Sequence, residues 1–421
     1  MADSNRTGLI QRSRSGTPTI ATDTDTYRFD RALVVLLFFA TFDAPGILSR
    51  KTLLWYLLLA IPIVTMVLIR APRASSRIRR PIISDVVLLI LMSFGLIGTT
   101  YGELFRPTTA SARPIFVPMV IALLYLGTLE QPTEKETDGL LRWLTWVGVT
   151  YVLVNALVYS GAAPGPGLAG DHPFRNSQLF FVAMAVVGAI ALRRWTRLVL
   201  LASLVAFMVL TYPSATTIVV AVGTVATLFM TQPGGSAVRP YVIAILLMIV
   251  VALGAMSSGV SEDITQRYFN AVGKADTNPT RLAVWTAGIH RFEQSPLIGS
   301  GFAGSTNAVI VRAVGRGTKQ IPFHNDFILF LAEGGVVGIG LLFTWIIATE
   351  IIVIRRHRMF VRAGWSSHAR LLRTLLVGFN AYFIAAAFNP QFTSVTSSAS
   401  IFAVYALMMS LGAPSRDTPR G

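Results

Sequence analysis

Residues 327–354 read FILFLAEGGVVGIGLLFTWIIATEIIVI, a run whose only ionisable side chains are Glu333 and Glu350. A helix that crosses a bilayer needs about 20 predominantly apolar residues, so this stretch predicts a membrane span. Immediately before it stands Phe323-His324-Asn325-Asp326, and immediately after it Arg355-Arg356-His357-Arg358. A polar mouth and a basic foot bracket the apolar run, as the two faces of a membrane require.

The same reading extends outward. The chain has 421 residues, 53% of them hydrophobic and 13% charged, with a mean hydropathy of +0.60. Soluble domains carry about 25% charged residues, which argues against an ordinary cytosolic enzyme. Apolar runs are expected near 32–49, 52–69, 82–100, 114–129, 141–160, 176–192, 198–212, 214–231, 240–257, 327–354, 371–388 and 398–413. They show no period-two alternation, which disfavours an outer-membrane barrel. The fold class is all-α, a polytopic membrane protein of about twelve transmembrane helices with one large extracytoplasmic loop. In domain terms, a cytoplasmic disordered tail (1–30) is followed by spans one to nine (31–257). The loop (258–323), spans ten to twelve (324–413) and a short cytoplasmic tail (414–421) complete the chain.

The formal charge of +16 is resolved by where it lies. With the N-terminus inside, 24 of the 36 Lys and Arg residues fall on the inner side and 12 on the outer. Seven of those twelve lie in the long loop, and long loops are poor witnesses to orientation. Both termini are therefore predicted to be cytoplasmic. The basic residues meet anionic lipid headgroups, and no nucleic-acid partner is expected. With no cysteine in the chain, disulfides, thiolate metal sites and thiol nucleophiles are excluded. Asp23 and Asp25 form an Asp-x-Asp pair, but in a polar tail, so no metal is expected there and no cofactor elsewhere.

The loop carries the remaining signals. Asn278 can cap a helix that starts at Pro279 and continues through Leu282, Val284, Trp285, Ile289 and Phe292 before Ser295-Pro296 stops it. A short amphipathic helix on the membrane surface is expected. Pro296-Leu297-Ile298-Gly299-Ser300-Gly301 then reads as a glycine turn that brings backbone close to a ligand. Asn325 is a good N-cap, and Gly334 with Gly338, widened by Gly335 and Gly340, gives the tenth helix a face for close packing.

His324 lies at the helix mouth, where imidazole can take a proton near neutral pH. Outer-loop arginines such as Arg175 and Arg281 offer bidentate contacts to phosphate oxygens. Histidine for an incoming hydroxyl and arginine for an anionic leaving group suit group transfer from a lipid diphosphate. Ionisable residues inside spans are few (Asp85, Glu333 and Glu350), which argues against a proton relay through the bilayer.

His324-Asn325 followed by Gly335-x-x-Gly338 resembles the signature of the O-antigen ligase family and its O-antigen polymerase relatives. Arg281-x-x-x-Trp285 and Pro296-Leu297-Ile298-Gly299-x-Gly301 are similar to that family's large periplasmic loop. The resemblance implies a GT-C-like helical fold in the bacterial cytoplasmic membrane. It implies an inverting, metal-independent glycosyltransferase that moves a glycan from an undecaprenyl-diphosphate donor to a hydroxyl of a glycan or glycolipid acceptor outside that membrane. On this resemblance His324 is the base, and Arg281 and Arg175 bind the diphosphate. Asn325, Gly335 and Gly338 support the site. Where many relatives have Ser-Arg at the outer start of span eight, this chain has Ser214-Ala215-Thr216. Arg113 or Arg106, before span four, is the expected replacement. A polymerase of the same family is the nearest alternative. A transporter or flippase of lipid-linked glycans is the alternative from another class, although no internal repeat of the kind expected there is visible.

Overall fold

The computed structural model describes residues 82–105, 133–159, 179–190, 224, 227, 231, 278–302, 309–312, 318–321, 323, 325–387, 391–392 and 395–412. The spans expected near 32–49, 52–69, 114–129, 198–212 and 240–257 lie outside these residues, as does most of the span expected at 214–231. The described helices are α1 (Ile83–Phe105), α2 (Glu134–Tyr159), α3 (Leu179–Ile190), α4 (Asn278–Gln294), α5 (Asp326–Ala363), α6 (Ser366–Ala386) and α7 (Val395–Ser410). Two of them, α5 and α6, are long and apolar enough to cross a membrane.

The described residues are helical, as expected, apart from one short hairpin. Strands β1 (Val309–Arg312) and β2 (Thr318–Ile321) pair antiparallel, with Val309 opposite Ile321 and Arg312 opposite Thr318. The run Val309-Ile310-Val311 is β-branched throughout, and such side chains are restricted in a helix and suit a pleated strand. Among its described residues the long loop thus holds a hairpin beside the helix.

Helix ends follow local chemistry. Thr133 and Glu136 form a capping box at the start of α2: the Thr133 N–H donates to Glu136 Oε2 (2.7 Å), and the Glu136 N–H donates to Thr133 Oγ1 (3.4 Å). Helix α5 stops at Gly364, which is left-handed (φ 80°). There the Trp365 N–H reaches back to the Phe360 carbonyl at 2.9 Å, a closure that satisfies a terminal carbonyl. Only Gly364 and Trp365 separate α5 from α6. The two pack as an antiparallel hairpin, with α1 and α4 against α5, and α2, α3 and α7 against α6.

Trp345 of α5 is fully buried and is the hub of the core. The rings of Phe379, Phe383, Phe402 and Tyr405 lie 5.5, 5.8, 5.6 and 5.3 Å from it, centre to centre. At the basic end of α5, polar groups are sealed by partners. The Tyr405 hydroxyl donates to Asp85 Oδ1 (2.8 Å), and Asp85 Oδ2 accepts from the Ile82 N–H (2.9 Å). The buried Arg356 donates to the Leu411 and Met409 carbonyls (3.0 and 3.3 Å), closing the C-terminal end of α7. At the same end, Arg370 of α6 pairs with Asp138 of α2 at 3.2 Å.

Helix α5 is not continuous. At Gly335 the backbone turns to φ 62°, ψ −162°, a region open to glycine alone. In a regular helix the Val336 and Val337 N–H groups would bond the Ala332 and Glu333 carbonyls. Here both bonds are given up and both ends are taken by the glycine turn of the long loop. Val336 N–H donates to Pro296 O (2.8 Å) and Val337 N–H to Leu297 O (3.1 Å). Ser300 N–H donates to Ala332 O (3.1 Å) and Gly301 N–H to Glu333 O (2.9 Å). Two helical hydrogen bonds are replaced by four bonds to the turn. The close approach requires glycine on both sides. A Cβ at Gly335 would stand 2.5 Å from the Leu297 carbonyl, and a Cβ at Gly299, itself at φ 71°, would overlap the Glu333 carbonyl.

Replacing Gly335 with Ala therefore meets both backbone strain and a blocked interface. Thermal unfolding in detergent is expected to show a loss of about 1–3 kcal/mol or more. Gly340→Ala is the control: a Cβ there meets nothing within 4 Å, and a helical Gly→Ala is expected to be neutral or to stabilise by about 0.5–1 kcal/mol.

Candidate active site

The mouth of α5 is held from three directions. The first is its own cap. Asn325 is extended (φ −157°, ψ 111°), and its Oδ1 accepts from the N–H groups of Phe327 (2.9 Å) and Ile328 (3.2 Å). Asn325 is therefore the N-cap that its residue type predicts. Its side-chain oxygen serves two helix-end donors that would otherwise lack a helical acceptor.

The second is α4. Trp285 Nε1 donates to the carbonyl of Phe323 at 2.8 Å. The Arg291 guanidinium stands 6.0 Å from the Phe323 ring centre, within cation–π range. Gly288 lets the helix approach so closely that a Cβ there would sit 2.6 Å from Ile328 Cγ2 and 3.0 Å from the Phe323 ring. Val284 is fully buried. The apolar face of α4 is thus spent on the mouth of α5. The helix expected in this loop is thus docked on protein along that face.

The third is Asp326. Its carboxylate is buried, and Oδ2 accepts from the backbone N–H groups of Gln391 (2.6 Å) and Phe392 (3.0 Å). Gln391 Oε1 in turn accepts from Ser397 Oγ (2.6 Å). Asp326 therefore ties the start of α5 to the connection between α6 and α7.

Below the mouth, the glycine turn continues into Phe302. Its ring is fully buried and packs edge-on against Phe330 (5.3 Å) and Phe94 of α1 (6.2 Å). Gly334 and Gly338 make room for this cluster: a Cβ at Gly334 would lie 2.9 Å from Phe302 Cζ, and one at Gly338 3.2 Å from Phe94 Cε1. The small-residue face expected of Gly338 is present, and it receives phenylalanines. Gly335, expected to widen that face, is instead the point where the helix opens. The glycine turn, expected to approach a ligand, approaches the chain's own helix.

Residues 179–343 match the O-antigen ligase family. Over that stretch the chain is similar to O-antigen ligases. No curated protein is similar enough to match it. The matched region runs from the start of α3 to Phe343. It encloses α4, the hairpin, the glycine turn and the opening in α5, so the interlocked turn and the opened part of the helix lie within the matched region.

Of the residues singled out in the sequence, Arg281, His324, Asn325, Gly335 and Gly338 lie inside the matched region, whereas Arg113 and Arg175 lie before it. His324 is outside the described residues, and both of its chain neighbours, Phe323 and Asn325, are anchored. Arg281 belongs to α4, four residues before Trp285 and therefore about one helical turn, or roughly 6 Å, along the same face. Arg113 and Arg175 fall outside the described residues. His290 is exposed on α4 and pairs with Glu293 at 3.2 Å, a surface arrangement. Among the described residues no group of three or more His, Asp or Glu could hold a metal ion.

Sequence reasoning missed the anchoring roles of Trp285 and Asp326. Trp285 had a usable signal: an indole whose N–H needs an acceptor when the ring is covered. Asp326 had a weaker one, an acid in the first turn of a helix, which does not reveal a partner 65 residues away.

Two substitutions at Asp326 test its tether to the connection between α6 and α7. Asp326→Ala leaves two buried N–H groups without an acceptor and is expected to lower stability in detergent by about 1–3 kcal/mol. Asp326→Asn keeps an acceptor oxygen and is expected to lose less, a difference that thermal unfolding of the pair reads directly.

Proposed function

We propose that this protein is an inverting glycosyltransferase that transfers a glycan from an undecaprenyl-diphosphate carrier to an acceptor hydroxyl on the outer side of the bacterial cytoplasmic membrane. The observation that carries this reading is the clamp around position 324. A general base must be held in register with the proton it removes, and misplacement by about 1 Å can cost 100-fold in rate. The cap at Asn325, the Trp285 bond to Phe323 and the Asp326 tether fix the backbone on either side of His324 from three separate elements. Such over-determination exceeds what ending a helix requires.

In this reading His324 accepts the proton of the acceptor hydroxyl as the oxygen attacks the anomeric carbon. The bond from that carbon to the diphosphate oxygen breaks, and the carrier diphosphate leaves with the electron pair. Arg281, on the α4 face that carries Trp285, binds and stabilises the departing charge. Arg175 and Arg113 are its proposed helpers. In this reading guanidinium groups, rather than a metal, balance the charge of the leaving group. The acceptor is a glycan or glycolipid, and both termini are cytoplasmic. The same chemistry with a second carrier-linked chain as acceptor would make the protein a polymerase.

The purified full chain, supplied with a lipid-linked oligosaccharide and acceptor, tests the assignment. His324→Ala is expected to lower transfer at least 100-fold while donor binding persists. Undiminished transfer would remove the base. Arg281→Lys keeps a charge but loses bidentate geometry, so a marked rise in donor KM is expected. Trp285→Phe keeps the ring, drops the bond to Phe323, and is expected to reduce kcat more than donor affinity.

A further inference from the structure

We infer that the opening in α5 lies at the edge of the membrane hydrocarbon, and that Leu297 and Ile298 of the glycine turn insert into the leaflet on the His324 side. The mouth of α5 is thereby raised clear of the acyl chains. The inference rests on reading α5 as a membrane span, and it deepens the proposed site by fixing its height, independently of glycan transfer.

The two parts of α5 differ in surroundings. Between Asp326 and Gly335 no residue is exposed, whereas beyond it Val336, Val337, Phe343 and Ile347 are 52%, 41%, 45% and 53% exposed. The outer part is enclosed by protein, and the inner part presents an open apolar stripe. Leu297 and Ile298 are 70% and 60% exposed. The Leu297 carbonyl holds the Val337 N–H, so the turn prolongs that stripe at its upper end.

The lengths agree. From Gly335 to Arg355, the first of the basic residues at the foot of α5, there are twenty residues, which span about 30 Å of helix. That is about the thickness of the hydrocarbon core. The whole of α5, 38 residues, is about 57 Å long and exceeds any bilayer core. The occupant of the Leu297–Ile298 surface is therefore acyl chain, in continuity with the stripe below it. Backbone that leaves the helix at this depth is tolerated because the exchanged bonds satisfy every opened group. From Gly335 up to Asn325 is about 15 Å, which places the start of α5 at or beyond the headgroups. A carrier diphosphate lies there, since its lipid tail stays in the hydrocarbon.

The chain has no cysteine, so single cysteines can be spin-labelled without altering the background. The full protein is placed in phosphatidylcholine/phosphatidylglycerol vesicles, and each label's accessibility to oxygen and to a water-soluble nickel chelate is compared. Leu297→Cys and Ile298→Cys labels are expected to read as shallow hydrocarbon, and Phe343→Cys and Ile347→Cys labels as deeper. Ile289→Cys, exposed on α4, is expected to read as aqueous, with an oxygen-to-nickel ratio several-fold below that at 297 and 298. Nickel-accessible labels at 297 and 298, or labels shielded there from both reagents, would overturn the insertion. A hydrocarbon reading at 289 would overturn the raised site. None of these readings needs donor or acceptor, so an inactive transferase would still return them.

Discussion

Four backbone hydrogen bonds between Pro296–Gly301 and the opened turn of α5 are the constraint on which the site depends. A helix can open only where its freed carbonyls and N–H groups find new partners, and away from water the cost of leaving one unmatched is several kcal/mol. Here each freed group meets its complement. Carbonyls of residues 332 and 333 face N–H groups of residues 300 and 301, and N–H groups of residues 336 and 337 face carbonyls of residues 296 and 297. The exchange is specific to these positions because only glycine permits the approach from each side. It turns a loop that could have moved independently into part of the helix wall.

From that joint the remaining contacts follow in sequence. Helix α4 ends directly before the glycine turn, so fixing the turn fixes the end of α4. It thereby sets where Trp285 and Gly288 meet Phe323 and Ile328. Phe302, directly after the turn, fills the space left by Gly334 and Gly338 and reaches Phe330 and α1. Phe330 passes the packing to Phe392 at 5.4 Å, whose N–H holds Asp326. The clamp around the start of α5 is therefore closed through three elements distant in sequence. That makes it a suitable frame for a residue whose chemistry depends on position.

The parts of this arrangement written in local sequence were legible, and the parts written in long-range pairing were not. The apolar run at 327–354 revealed its helix because hydropathy is summed over neighbours. The helix itself runs on to Ala363, past the end of the apolar run, because basic residues do not end a helix. Asn325 was legible as a cap since its preference acts over three residues. The helix at 278–294 was read from Asn278-Pro279 and Ser295-Pro296, yet the object it packs on was not, because an amphipathic face fits a membrane and a neighbouring helix equally well. Gly299 and Gly335 were recognised as permissive, but nothing local says that the two glycines face each other across 36 residues. The hairpin at 309–321 was missed because four-residue strands carry too little pattern. Family resemblance, carried by His324-Asn325 and the spaced glycines, agreed with the match to the O-antigen ligase family at 179–343.

Amide hydrogen exchange of the full chain in lipid nanodiscs, resolved around residues 295–302 and 330–340, probes the joint most directly. Exchange of bonds between loop and helix predicts that the Ser300 and Gly301 amides are protected as strongly as those of Val336 and Val337, and that all four open together when Gly335 is replaced by Ala. Fast, loop-like exchange at Ser300 and Gly301 beside fully protected Val336 and Val337 would mean a continuous helix with an unattached turn, and would contradict the interlock.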